Sequence, residues 1–139
     1  MKEISTAKVQ TKKVEDLHYQ SNQWKSKLHF LRDELTFINH LLNSYVFEPN
    51  TPNLFERLQD YQDKLKKISA KEISLQKFIA KHESDLGGML ECTDDICDSG
   101  YYKKHEALKA EITDCTLSFR QLKSDIFRYA GGVLKKRKP

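Results

Sequence analysis

The sequence contains few residues that interrupt helices, with only five glycines and three prolines among 139 residues. Both residue types are unfavourable inside an α-helix, so their scarcity is typical of a helix-rich protein. Long apolar runs are also missing, which leaves no candidate for a membrane-spanning segment. The first residues include lysines but no apolar signal core. We therefore expect a cytoplasmic protein without a membrane span.

Cysteine is scarce as well, and the chain has three: Cys92, Cys97 and Cys115. An odd number of cysteines cannot pair completely, and the cytoplasm is a reducing compartment. We therefore expect all three to remain thiols. A disulfide between Cys92 and Cys97 is the less favoured alternative.

Motifs that would identify an enzyme are missing from the sequence. No glycine-rich phosphate loop follows a strand, and no Gly-x-Ser-x-Gly elbow is present. The cysteines do not belong to a motif that marks a catalytic nucleophile. The sequence therefore predicts a protein with no enzymatic activity and no cofactor.

The chain has a small excess of positive charge, with 24 basic residues and 20 acidic ones. The net charge of +4 is matched by four residues of the C-terminal tail, Lys135, Lys136, Arg137 and Lys138. The rest of the chain is balanced, which argues against a broad phosphate-binding face. The tail alone is a candidate contact for nucleic acid or an anionic membrane surface. Its alternative role is to complement a helix dipole and to keep the chain in solution.

Apolar side chains recur at alternating steps of three and four residues in three long segments. This spacing aligns them along one stripe of a helix and is typical of coiled-coil-like packing. It predicts helices at about residues 12–47, 53–88 and 101–134. Each helix should be about 50 Å long at 1.5 Å per residue.

The predicted fold is all-α, a single elongated bundle of three antiparallel helices over residues 1–134, followed by the basic tail 135–139. Pro49 ends the first helix, and either Thr51 or Asn53 caps the second. A short connection of this kind favours antiparallel neighbours. Long helices can also exchange between chains, so an intertwined homodimer is the alternative to a closed monomer.

Several apolar residues lie outside the three main stripes: Phe30, Phe37, Leu41, Ile73, Phe78, Leu117 and Phe127. We expect most of them to widen the buried stripe, because each helix of a three-helix bundle faces two neighbours. Leu117 and Phe127 fit this interpretation least well. If exposed, such residues would mark a contact surface, for which the candidates are Phe30, Ile73, Leu117 and Phe127.

One end of the predicted bundle gathers several possible metal ligands: Glu15, His18, His82, Cys92, Cys97 and His105. Imidazoles and thiolates suit zinc, whereas carboxylates with imidazoles suit iron or manganese. Only one Glu-x-x-His pair is present, while di-metal carboxylate bundles use two. The same loop also partly matches a calcium-binding EF-hand, with Asp95, Gly100 and Glu106 at the required spacing. The alternative to both sites is an ordinary solvated connection between helices.

Three polar residues interrupt the apolar stripes: Glu72, His82 and His105. Polar residues on a core seam cost stability but can fix helix register. If the two histidines face each other, their protonation near pH 6.5 should loosen that end of the bundle.

The stretch QWKSKLHFLRDELTFINHLL contains Trp24, Leu28, Phe30, Asp33, Glu34 and Leu35. It resembles short uncharacterised all-helical proteins of Bacteroidota. The resemblance implies a bacterial cytosolic setting and assigns no activity or site residue.

Together these features predict an interaction or scaffold module that binds a protein partner or a second copy of itself. A metal-binding bundle is one alternative. Weak binding of nucleic acid or an anionic surface through the tail is another.

Overall fold

The computed structural model describes the backbone of residues 2–134 and the side chains of residues 8–134. Its three α-helices are α1, Lys2–Leu42, α2, Leu54–Leu86, and α3, Asp95–Val133. A short 3₁₀ helix, Gly87–Glu91, follows α2 directly. The helices pack against each other in one chain, which confirms the predicted all-α bundle.

Both ends of α1 differ from the predicted boundaries. The helix begins at Lys2 rather than near residue 12 and ends at Leu42 rather than near residue 47. The prediction began at the first apolar position, Val14, but Gln10 occupies the preceding position of the same stripe and is buried. Because Gln10 is polar, the apolar spacing did not predict that the helix extends to residues before Val14.

The start of α3 also differs from the prediction, which placed it after Gly100. Asp94 caps the helix, because its side chain accepts a hydrogen bond of 2.8 Å from the Cys97 amide. Asp, Ser, Thr and Asn are effective at this position because they satisfy an unpaired amide of the first turn. Gly100 consequently lies inside α3.

The connection between α1 and α2 closes one end of the bundle. Phe47 is buried and forms an isolated antiparallel bridge with Leu134, the residue after α3. The Glu48 amide also donates to the Val133 carbonyl. Asn53 precedes α2 in the left-handed backbone region, with φ of 60°, and makes no side-chain capping hydrogen bond. It therefore occupies one of the predicted cap positions without acting as a side-chain cap.

Two buried apolar clusters follow one another along the bundle. The main core extends from Trp24 through α1 and includes the facing stripes of α2 and α3. The smaller terminal cluster consists of Val14, Leu17, Leu86, Met89 and Cys92, with Tyr101 packed against it.

A polar layer separates the two clusters and comprises one buried residue from each helix: Ser21, His82 and His105. Ser21 lies between Leu17 and Trp24 in α1, while the histidines hold the equivalent places in α2 and α3. The predicted burial of both histidines is confirmed.

Most of the apolar residues outside the stripes are exposed, contrary to the expectation that they would widen the core. Phe30, Phe37, Ile73, Phe78, Leu117 and Phe127 are all exposed large apolar side chains. Only Leu41 packs against the main core. The main stripes already fill the space between the helices, so side chains on the outer faces find no neighbour to cover them. Within residues 2–134, no helix combines the length and apolarity needed to cross a membrane.

Candidate functional site at the histidine end of the bundle

The two histidines of the polar layer form a directed hydrogen-bond chain. His105 Nε2 lies 2.8 Å from Gln20 Oε1, and His105 Nδ1 lies 2.9 Å from His82 Nε2. An amide oxygen only accepts, so His105 Nε2 must donate to Gln20. His105 Nδ1 then accepts from the N–H of His82. This arrangement requires a neutral imidazole at His105, because a proton on His105 Nδ1 would remove the acceptor that His82 uses.

The surroundings of the pair favour the neutral form. Burial, together with a smaller effect of the neighbouring His82, lowers the pKa of His105 to about 4. Burial also lowers the pKa of His82, although Asp85 and Glu83 oppose that effect. Trp24 packs over His105, with ring centroids 4.3 Å apart. The indole thus covers the side of the pair that faces the main core.

His82 also borders a groove of about 580 Å³ between α2 and α3. Phe78 and Leu108 contribute apolar surface there, while Lys104 and Glu111 lie along its edges. The groove is open to solvent, and its lining carries both signs of charge.

The predicted metal ligands do not converge on one point. His18 Nδ1 lies 3.5 Å from Glu83 Oε2, and Lys25 also pairs with Glu83. Glu15 is exposed. In the part of the chain that the structure describes, no group of three His, Cys, Asp or Glu side chains is arranged to hold a metal ion.

The register between α1 and α2 leaves His18 close to His82. His18 contacts Glu83, the residue after His82, and acts electrostatically on His82 itself. His18 therefore lies near the histidine pair, but its ring faces Glu83 and does not join the two other imidazoles around one centre.

The expectation that all three cysteines remain thiols is wrong for two of them. Cys92 and Cys97 form a disulfide, with their Cα atoms 5.5 Å apart. A turn between the 3₁₀ helix and α3 brings them within the normal Cα separation for such a bond. An odd cysteine count excludes complete pairing but not one pair, and Cys115 remains free. The bond also removes Cys92 and Cys97 as thiolate ligands.

The calcium interpretation is also wrong. Asp95, Gly100 and Glu106 all lie within α3. A continuous helix separates its residues by 1.5 Å of rise each, so the first and last of these lie about 16 Å apart along the axis. An ion needs its ligands gathered around one centre.

A polar network that the sequence reasoning missed ties the terminal cluster to α1. Gln10 Nε2 donates to the Met89 carbonyl at 2.9 Å and to Asp98 Oδ1 at 3.0 Å. Lys13 Nζ lies 2.7 Å from Asp98 Oδ2 and, with Gln10, lowers the pKa of that carboxyl group. Extending the three-and-four spacing by one step at the start of α1 would have found Gln10.

The predicted contact residues occupy more than one face of the bundle. Their exposed fractions are 67% for Phe30, 48% for Ile73, 52% for Leu117 and 46% for Phe127. The tail residues Lys135, Lys136, Arg137 and Lys138 lie outside the described residues, so their predicted role stays a prediction.

Contacts between α1 and α3 show which side chains share their common surface. Gln20 contacts His105 at a separation of 85 residues, and Glu34 contacts Lys123 at a separation of 89. Helices α1 and α3 are therefore parallel, with an offset that places Phe30 level with Leu117.

Exposed apolar side chains surround this α1–α3 contact. Phe30 and Phe37 lie one turn before and one turn after Glu34, and Phe127 lies one turn after Lys123. We define the α1–α3 face by its exposed large apolar side chains, which are Tyr19, Phe30, Phe37, Tyr102 and Phe127. Leu117 lies six residues from Lys123, about 120° around α3, and is outside this face. Ile73 belongs to α2 and is also outside it.

Comparison with known proteins adds no relative from which a role could be transferred. No family model, no curated protein and no solved structure matches the chain.

Proposed function

We propose that the protein is a non-enzymatic helical interaction module that self-associates through the α1–α3 face. The observation that carries the proposal is the exposure of this face, which gathers aromatic side chains from two parallel helices. The main core is complete without them. Large exposed apolar surfaces of this kind are typical of protein contact sites.

The arrangement of the face suits association with another helical surface. Tyr19, Phe30 and Phe37 are spaced by eleven and seven residues, which keeps them on one line of α1. That line is about 27 Å long at 1.5 Å per residue. Aromatic side chains contribute strongly to interfaces because they bury a large area with few rotatable bonds.

A second copy of the chain is the partner that we favour, because the face is complementary to itself in charge. Lys27 lies three residues before Phe30 and Glu34 four residues after it, on the same side of the aromatic line. Two antiparallel α1 helices that cross at Phe30 would place each Lys27 near the other copy's Glu34. Such a twofold contact uses the same surface on both copies.

Sedimentation velocity over a range of protein concentrations tests this proposal. We expect a monomer–dimer equilibrium that the double variant Phe30→Ser with Phe37→Ser shifts at least tenfold towards monomer, a loss of about 1.4 kcal/mol or more. Both side chains are exposed, so circular dichroism should show an unchanged fold. Phe55→Ser is the matched control, because Phe55 is 83% exposed at the start of α2 and lies off the face.

Two results would contradict the proposal. A monomer at every concentration would remove self-association, and a dimer insensitive to the double variant would indicate exchanged helices or a different surface. Ile73→Ser tests a predicted contact residue that lies outside the face, and it should leave the equilibrium unchanged if the α1–α3 face is the interface.

A further inference from the structure

The Cys92–Cys97 disulfide joins a buried cysteine residue to an exposed one. Cys92 is 4% exposed and belongs to the terminal cluster. Cys97 is exposed in the first turn of α3. A reagent in solution can therefore approach the bond from the Cys97 side, while the Cys92 side is covered by apolar side chains.

We propose that this disulfide is a thiol–disulfide exchange site for dithiol reductants, and that its reduction opens the terminal cluster without opening the main core. The proposal concerns one end of the bundle and is independent of self-association through the α1–α3 face.

The exchange is a balanced transfer of two electrons. A thiolate of the dithiol attacks Sγ of Cys97, the S–S bond breaks, and Sγ of Cys92 leaves as a thiolate that takes a proton from water. The second thiolate of the reductant then attacks the reductant sulfur of the mixed disulfide. Cys97 is released as a thiolate and is protonated from water, and the reductant leaves as a cyclic disulfide.

The position of the disulfide limits which part of the structure its reduction affects. It links the residue after the 3₁₀ helix to α3, and both flank the terminal cluster. This cluster has five buried members and is separated from the main core by the polar layer of Ser21, His82 and His105. A small apolar cluster bounded by polar groups is the kind of unit that opens on its own.

The rest of α3 has restraints that survive reduction. The Asp94 cap uses the Cys97 amide rather than its sulfur. Gln10 still bridges the Met89 carbonyl and Asp98 across the same end. We therefore expect the reduced protein to keep its three helices while the terminal cluster exchanges with solvent more often.

The third cysteine does not compete for the released thiols. Cys115 is buried in the main core, and burial raises the pKa of its thiol. A buried protonated thiol is a poor nucleophile. Reoxidation should therefore restore the same pair, which makes the site reversible.

Hydrogen–deuterium exchange with mass spectrometry tests the proposal on the full chain, with dithiothreitol as the reductant and no denaturant. On reduction, we expect amides of residues 84–92 to exchange roughly tenfold faster or more, and those of residues 108–126 to remain unchanged. Alkylation after reduction should modify Cys97 first, then Cys92, and leave Cys115 unmodified.

Two variants complete the test. Cys92→Ser with Cys97→Ser should reproduce the reduced pattern and lose its response to dithiothreitol, whereas Cys115→Ser should keep that response. Resistance of the bond to dithiothreitol under native conditions would overturn the proposal. So would faster exchange throughout the main core, or an exchange pattern that reduction leaves unchanged in the wild-type chain.

Discussion

His105 is placed so that a single proton breaks its hydrogen bond with His82. Its Nδ1 accepts from His82, and its Nε2 donates to Gln20. Protonation at Nδ1 would turn the acceptor into a donor that faces the donor of His82. Acidic and basic groups surround the pair on every side, with His18 on α1, Glu83 and Asp85 on α2, and Lys104, Glu106 and Lys109 on α3.

Lowering the pH should therefore destabilise the fold. The pKa of His105 falls from 6.5 to about 4 in the folded protein, so the unfolded chain binds more protons between these values. The stabilisation is fully present above about pH 7 and is lost as the pH falls towards 4. At pH 5.0, His105 alone should reduce the free energy of unfolding by about 2 kcal/mol, and His82 acts in the same direction.

Urea unfolding at pH 7.5 and pH 5.0 measures this effect. His105→Gln should reduce the difference between the two pH values, whereas His29→Gln, at an exposed position, should leave it unchanged. Equal stability of the wild-type protein at both pH values would contradict the prediction.

Glu72 is a second buried polar residue. The free-energy cost of burying its carboxylate depends on the hydrogen bonds that its partner donates. Its carboxylate is 1% exposed and accepts two hydrogen bonds from Arg32, one of 3.0 Å from Nη2. The pair also raises the pKa of Arg32. Removing the partner leaves a buried carboxylate without compensation, although the half-exposed arginine shows that water is close.

Arg32→Ala should therefore lower the free energy of unfolding by about 2 kcal/mol. Lys64→Ala removes an exposed i,i+4 pair with Asp60 and should cost less than about 0.5 kcal/mol. Chemical denaturation of both variants gives the comparison. A cost for Arg32→Ala no larger than that of the control would show that water solvates Glu72 in the folded protein.

At the scale of the elements, the α2–α3 connection is organised by local interactions that periodicity does not reveal. The 3₁₀ helix continues the direction of α2, and Met89 fills the terminal cluster. Gly88 lies close to Tyr101, since a Cβ at this position would be 2.5 Å from the tyrosine hydroxyl. Gly87 and Gly88 thus begin a 3₁₀ helix and do not form a loose loop.

The Asp94 cap should contribute measurably to stability. Asp94→Ala leaves the Cys97 amide without its acceptor, and we expect a loss of about 1 kcal/mol in the oxidised protein. Asp114→Ala, at an exposed position within α3, should change stability by less than about 0.5 kcal/mol. Thermal unfolding of both variants provides the measurement, and equal melting temperatures would show that the disulfide alone holds the start of α3.

At the scale of the whole molecule, the bundle combines a long continuous core with a smaller end unit. The polar layer interrupts the apolar packing between them. Protonation of the histidines and reduction of the disulfide act on the same end, while Phe30, Phe37 and Phe127 of the α1–α3 face lie beside the main core. We therefore expect reduction and low pH to open the terminal cluster, and protein concentration to control self-association.

The sequence by itself determined the class of fold and most of the buried stripes. Heptad spacing is a local property, so Leu28, Leu75 and Ile126 could be placed in the core without knowledge of their neighbours. The burial of Glu72, His82 and His105 followed from the same spacing.

Only the tertiary structure decided which side chains meet. The contact of His18 with Glu83 could not be predicted, because heptad spacing defines a face of a helix but not the partner of each side chain. The Cys92–Cys97 bond depended on the turn that brings two Cα atoms together. The α1–α3 face emerged only once Glu34 and Lys123 fixed the relative position of two helices that are distant in the sequence.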